Sequence, residues 1–187
     1  VFGNHECWYN GLDAANTVRS SFQHLKNVYL LENSSITIDG IEFFGCTLWP
    51  DYKQADPYVI RYAQTIDKNL LYIGVDFQTI QEKQRESVET LRTLPYNKNR
   101  VIITHYPPTC LSITDEFNAD DIEIQYLCYS EITDGVFALS PLAWMHGHIH
   151  NSVNYKIGDT DVLANPRGDH FVRNARFDIK QSYTLDC

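Results

Sequence analysis

The sequence is short of basic residues, of long apolar runs and of paired cysteines. Its 15 lysines and arginines stand against 24 aspartates and glutamates, a formal net charge of −9. Nucleic acid and anionic membrane surfaces need clustered cations to displace counterions, so this balance argues against both as unspecific partners. Apolar runs are short, residues 41–46 being interrupted by Glu42 and 101–103 spanning three residues, with no uninterrupted run longer than four, far below the roughly 18 residues of a membrane span. No secretory hydrophobic region follows the first residue. The five cysteines, Cys7, Cys46, Cys110, Cys128 and Cys187, are odd in number and widely spread, with no Cys-x-x-Cys pair. That usage points to reduced thiols and a cytoplasmic setting. Methionine occurs once, at Met145, and the chain opens on Val1, so a fragment, a processed chain or a trimmed chain is expected.

What is present describes an ordinary globular domain: 187 residues, 43% apolar and 13% aromatic. At this length folding buries roughly 70% of the unfolded surface, enough for a core without crosslinks. There is no repeat and no low-complexity linker, so residues 1–187 read as a single domain. Residues 1–7 read as an entering loop. Ala15, Val18, Phe22 and Leu25 recur at spacings of three and four, which predicts an amphipathic helix over 13–27 with Asp13 as its cap. A short strand at 28–31 follows. Asp39-Gly40 between two alternating runs predicts a β-hairpin of 35–38 with 41–46. Residues 47–52 break at Pro50 into a loop. Helices are predicted at 57–73 and 79–94, the second with Ile80, Gln84, Ser87, Val88 and Leu91 along one side. Strands are predicted at 100–104, 142–145, 153–157 and 161–163, with a last edge strand at 177–179. Residues 109–135 read as a long, partly helical excursion. Alternating strands and helices with hairpins give an α/β domain with mixed sheets.

Three separated clusters carry the chemistry: Gly3-Asn4-His5-Glu6, Thr104-His105-Tyr106-Pro107-Pro108 and His146-Gly147-His148-Ile149-His150. Each lies directly after a strand or in a glycine-flanked turn, where open α/β sheets place their sites. Neutral imidazole nitrogen and amide oxygen are borderline ligands suited to Zn, Mn or Fe. In an extended segment side chains at i and i+2 point the same way, so His148 and His150 are expected to face one site. His24, on the helix that bears the apolar stripe, reads instead as a packing or surface residue. Taken singly, the His-x-His-x-His run fits surface chance or packing as well as it fits metal, and Thr-His-Tyr-Pro-Pro fits a simple turn. Their conjunction points to a metal site.

In this order the three clusters resemble the calcineurin-like metallophosphoesterases. Phe44-Gly45-Cys46-Thr47-Leu48-Trp49-Pro50-Asp51 and Asn165-Pro166-Arg167-Gly168 resemble segments of the small single-domain bacterial and viral branch, and the resemblance spans essentially the whole chain. It implies a four-layer α-β-β-α sandwich of two mixed sheets, here lacking the first one or two strands of the core. It implies two divalent metal ions (Mn, Fe, Zn or Ni), with Asn4, His105 and His148 on one and His150 on the other. His5 takes the position of the general acid beside the leaving-group oxygen, and Glu6 is expected to fix its loop. Arg167 and Tyr106 are expected substrate contacts. Trp49 reads as core packing or as a pocket wall. The implied reaction is hydrolysis of phosphomonoesters or phosphodiesters by a metal-activated water.

The family pattern also has an Asp-x-His and a Gly-Asp-x-x-Asp upstream of Gly-Asn-His, which supply further ligands including the bridging aspartate. Neither occurs in this sequence. No aspartate begins an Asp-x-His, and Gly158-Asp159 and Gly168-Asp169 have Val162 and Val172 where the second aspartate would fall. The chain is therefore expected to be the C-terminal three quarters of a phosphoesterase domain, inactive or nearly so by itself and with an unpaired sheet edge. The net charge favours a small phosphate ester or nucleotide over a long polyanion. Two alternatives stay open, a non-catalytic scaffold of the same fold that binds partner proteins, and a nuclease.

Overall fold

The computed structural model describes residues 1–7, 11, 14–66, 76–113, 125–168 and 173–184. Six strands form one mixed sheet, in the order β1-β2-β3-β4-β6-β5: β1 Ser34–Ile38, β2 Ile41–Cys46, β3 Arg100–Thr104, β4 Ala143–Met145, β5 Val153–Ile157 and β6 Thr160–Ala164. β2, β3, β4 and β6 run parallel, and an antiparallel hairpin partner closes each edge. The described helices are α1 Asn4–Cys7, α2 Ala14–Phe22, α3 Pro57–Ile66, α4 Phe77–Thr93 and α5 Thr133–Val136, beside a left-handed turn at Tyr52–Ala55 and short 3-10 turns at Cys110–Ser112 and Phe137–Leu139. No described helix is long and apolar enough to cross a membrane.

Local sequence accounts for most of these elements. Asp39 and Gly40 both adopt positive φ, 50° and 84°, as a type I′ turn requires, and Ile38 pairs with Ile41. α4 starts at Asp76, whose carboxylate accepts the Thr79 N–H at 2.7 Å. It stops before Pro95, because a residue preceding proline avoids helical backbone. Ile80, Ser87, Val88 and Leu91 are buried along its inner side. β3 begins on a buried ion pair: the Arg100 guanidinium lies 2.8 Å from the Glu42 carboxylate and also donates to the Pro95 carbonyl at 2.7 Å.

Alternation along the strands assigns two faces to the sheet. Phe44, Ile102, Trp144 and Val162 stand in register across β2, β3, β4 and β6. They pack against Val88 and Leu91 of α4 and against Val136 and Phe137. The opposite face carries buried Val101, Ala143 and Leu163, with Phe43, Ile103 and Met145 partly buried around them. Leu31 and Val1 approach that face over Gly45, where a Cβ would stand 2.6 Å from Leu31 Cβ and 2.7 Å from Val1 Cγ1. Gly45→Ala is therefore expected to cost about 1–3 kcal/mol of stability by overpacking, read as a lower urea midpoint at unchanged slope.

Several expectations need correction. Residues 4–7 form a helical turn instead of a plain loop. α2 ends at Phe22, and Phe22 and Leu25 are 41% and 38% exposed, so their stripe meets no core; Asp13 lies outside the described residues. Residues 28–31 form no strand; Leu31 at their end packs over Gly45 on the sheet face. Residues 177–179 form none either: the Asp178 backbone bonds the Asn165 side chain, and Ile179 is 84% exposed. The expected helix over 57–73 is seen to Ile66, the rest lying outside the described residues, as does 114–124 of the 109–135 excursion. The six strands pair without interruption, and the two open edges of this sheet are the outer hairpin strands β1 and β5. Among the described residues a second sheet is not seen.

Candidate metal centre

Four parallel strands bring their carboxyl ends to one edge of the sheet, and three of those ends carry site residues: His105 after β3, His148 and His150 after β4, Arg167 after β6. Backbone bonds prolong the ladder past the strands. Tyr106 N donates to Thr47 O at 3.2 Å, Gly147 N to His105 O at 3.0 Å and His146 N to Leu163 O at 3.0 Å. Buried Thr104 adds a side-chain tie, accepting from Trp144 Nε1 at 2.9 Å while donating to Tyr106 O at 2.6 Å. The loops bearing the histidines are thus anchored to the core.

Asn4 reaches the same point from α1. Its Oδ1 lies 2.9 Å from His105 Nε2, which in turn lies 3.1 Å from His148 Nδ1. A single Nε2 carries either one proton or one lone pair, so it cannot serve both contacts well as a hydrogen bond. Two donors at right angles about one octahedral ion, with bonds of about 2.1 Å, stand about 3.0 Å apart, and at the tetrahedral angle of zinc about 3.4 Å apart. Burial is the main cause holding His105 and His148 well below the ordinary imidazole range, His105 at about 3, with neighbouring imidazoles adding to it. Both rings are therefore neutral at pH 7, with lone pairs available to a cation. The donor set fits one borderline divalent ion. Among the described residues no group of three or more His, Cys, Asp or Glu side chains is arranged to hold a metal; this trio contains only two histidines, its third donor being an amide.

A cavity of about 490 Å³ opens over the trio, lined also by His5, Glu6, His150 and Arg167. His5 is exposed at its rim, and Glu6 holds the turn, its carboxylate accepting the Gly3 N–H at 2.7 Å. Gly3 itself leaves no room: a Cβ would stand 2.7 Å from His105 Cε1 and 2.9 Å from Nδ1. Gly3→Ala is expected to displace the His105 ring and weaken Zn²⁺ binding by about tenfold, the low end for a disturbed ligand-orienting contact, as measured by competition with a chromogenic chelator.

His148 and His150 do line one cavity, yet their segment is not extended. Both have positive φ, 65° and 54°, and Ile149 N bonds Gly147 O at 2.8 Å in a tight turn. Such backbone is disfavoured for non-glycine residues and gathers at functional sites. Tyr106 is 3% exposed and stands in the wall behind His148, ring centroids 4.2 Å apart, instead of on the cavity surface. Trp49 packs behind it in turn, 5.7 Å away, which is the core role. His146 turns inward, its Nε2 2.9 Å from Ser112 Oγ, which lies 2.7 Å from Tyr155 Oη. Thr104, which ties the His105 loop to the core, carries no sequence signal of its own, since nothing local separates it from an ordinary polar position. No protein-family model and no curated protein matches this sequence.

Proposed function

We propose that this chain is the histidine-bearing part of a metal-dependent phosphoesterase. The observation that carries the reading is the placement of Asn4 Oδ1 and His148 Nδ1 at 2.9 and 3.1 Å from His105 Nε2 in the lining of an open cavity. Asn4, His105 and His148 would hold one divalent ion and His150 would contribute to a second, the metal being Mn, Fe, Zn or Ni. When bound, the ions would supply a lowered pKa for attacking water and charge stabilisation for the phosphoryl oxygens. His5, at the rim, donates a proton to the leaving-group oxygen. Glu6 keeps the His5 turn in place through the Gly3 N–H, and Arg167 meets the anionic substrate. The neutral ligands leave the positive charge of the ions available to a phosphate ester or nucleotide.

The partly covered sheet face of Phe43, Ile103 and Met145 supports the four-layer sandwich, in which a second sheet packs there. On that arrangement the upstream strands bring the aspartates that complete the centre. The test compares this chain with a longer polypeptide that carries them, using a bis-aryl phosphate and an aryl phosphate with Mn²⁺. The longer form is expected to hydrolyse at least one of the two, and the present chain to bind a divalent ion with little or no turnover. A chain that binds no Zn²⁺, Mn²⁺, Fe²⁺ or Ni²⁺ would sink the reading.

A further inference from the structure

The two edges of the sheet are built differently. Ile157 and Thr160 flank the turn between β5 and β6, so by alternation the backbone groups of Asn154 and Lys156 face away from β6. Lys156 is exposed and lies 2.8 Å from Asp161; a lysine on an edge strand blocks further pairing, because its charge would be buried. β1 has no such guard. Residues 34–38 hold no charge and no proline, and their pairing with β2 runs from Ser34↔Gly45 to Ile38↔Ile41 without a bulge. Among the described residues no strand pairs with the outer side of β1. Ile38 and Ile41 flank the two-residue turn and exchange both of their bonds, so Ile36 and Ser34 bond β2 as well. The N–H and C=O groups of Ser35 and Thr37 are left pointing outward, and both residues are exposed. Such a row is a template for another strand.

The surface beside β1 is apolar. Ile36 and Ile38 point to the sheet face of Phe43 and Ile41. On that side Ile36 lines a groove of about 530 Å³ with Phe22 of α2, Val28 and Tyr29, and Arg19 is the one charged residue among its described lining. Leu25 continues the patch, its N–H bonded to Phe22 O and its carbonyl to Val28 N. Phe22, Leu25, Val28, Tyr29 and Ile38 are each between 38% and 50% exposed. At about 200 Å² per large side chain they present on the order of 400 Å² of apolar surface. One side of a standard interface covers about 800 Å², a little over half of it apolar, so the patch has the size that one subunit of a dimer needs. Charge points to the same partner. Two chains of net charge −9 repel each other, and neither β1 nor the described groove lining carries a carboxylate to bring against its copy. The strand is also self-complementary. Run antiparallel to its copy, it sets Ser35 against Thr37 of the partner subunit and Thr37 against Ser35 of the partner subunit, with the two Ile36 residues facing on the two-fold axis. In that register both outward-bonding residues of β1 are paired, giving four backbone hydrogen bonds.

We propose that β1 is the contact strand of a two-fold dimer, in which two copies of this chain join their sheets antiparallel through Ser35 and Thr37 and bring their apolar grooves side by side. The contact uses no metal and stands apart from the phosphoesterase reading. Sedimentation equilibrium of the 187-residue chain is expected to show a dimer with a midpoint of about 10 µM, the weak end for interfaces of this size, the same with chelator as with Zn²⁺. Thr37→Pro removes an outward N–H without touching a β1–β2 bond, and should raise that midpoint about thirtyfold, since two hydrogen bonds are lost by symmetry. Its far-UV circular dichroism should match wild type. Asn154→Pro makes the same change on the outer side of β5 and should leave the midpoint within about twofold. Register is read by crosslinking in a Cys110→Ser, Cys187→Ser background. Ile36→Cys should form an intermolecular disulfide in air, its facing Cα atoms standing about 4.5 Å apart. Ile38→Cys, about 14 Å from its counterpart, should not. A chain that is monomeric at every concentration, a dimer that Thr37→Pro leaves intact, or one in which Ile38→Cys crosslinks as readily as Ile36→Cys overturns the proposal. So does a longer polypeptide, carrying the upstream residues, that stays monomeric where this chain dimerises, because its own segment then occupies the edge.

Discussion

Replacing His148 by alanine is expected to lower the affinity for Zn²⁺ or Mn²⁺ by more than about 100-fold. Outer-shell partners of a metal site are worth 10–100-fold, and His148 Nδ1 stands within the donor cluster itself, 3.1 Å from His105 Nε2. The fold should survive, because His148 is half-buried in a turn and β4 ends before it, with Gly147 N still bonded to His105 O. His24→Ala serves as the control, since His24 is exposed beyond the end of α2 and away from the cavity. Calorimetric titration of the three proteins decides the matter: an unchanged affinity in His148→Ala would remove this residue from the centre.

Acid is expected to destabilise the metal-free protein steeply between pH 6.5 and pH 4, with His146 alone contributing about 3 kcal/mol. Burial lowers His146 to about 4 from its ordinary 6.5, only slightly offset by its bond to the Gly147 carbonyl. It faces Ser112 and, through it, Tyr155, with no carboxylate among these partners to favour the charged ring. As pH falls through 6.5 the unfolded chain takes up a proton that the folded protein refuses until about pH 4. Stability is therefore fully present above 6.5 and lost on the way down, at 1.36 kcal/mol for each pH unit. His105 and His148 are shifted the same way and add to the slope. His146→Gln isolates one contribution, because its amide can still reach Ser112 while carrying no titrating group. Urea midpoints at pH 7 and pH 4 in the presence of chelator should differ less for His146→Gln than for wild type; equal differences would show that His146 does not drive the transition.

Legibility in the sequence followed the range of the interaction responsible. The Asp39-Gly40 turn, the capped and proline-terminated α4 and the β-branched β3 depend on a few neighbouring residues, and each forms as their backbone preferences dictate. The apolar stripe of α2 was equally regular, yet Phe22 and Leu25 remain exposed, because periodicity identifies a face without supplying a surface to cover it. Residues 28–31 had the composition of a strand and form none, since propensity makes a strand only where a partner strand is met in register.

The candidate centre divides along the same line. Sequence alone determined the residue types and their order, which nominated Asn4, His5, His105, His148 and His150, while Arg167 was nominated by the resemblance those segments carry. Only the tertiary structure decided that Asn4 meets His105 from 101 positions away, and that Tyr106 stands behind the site and His146 beneath it. The physical reason is that backbone preference acts over a few residues, whereas the convergence of three chain segments on one cavity is set by the register of parallel strands, and that register is fixed by which side chains fill the core between them.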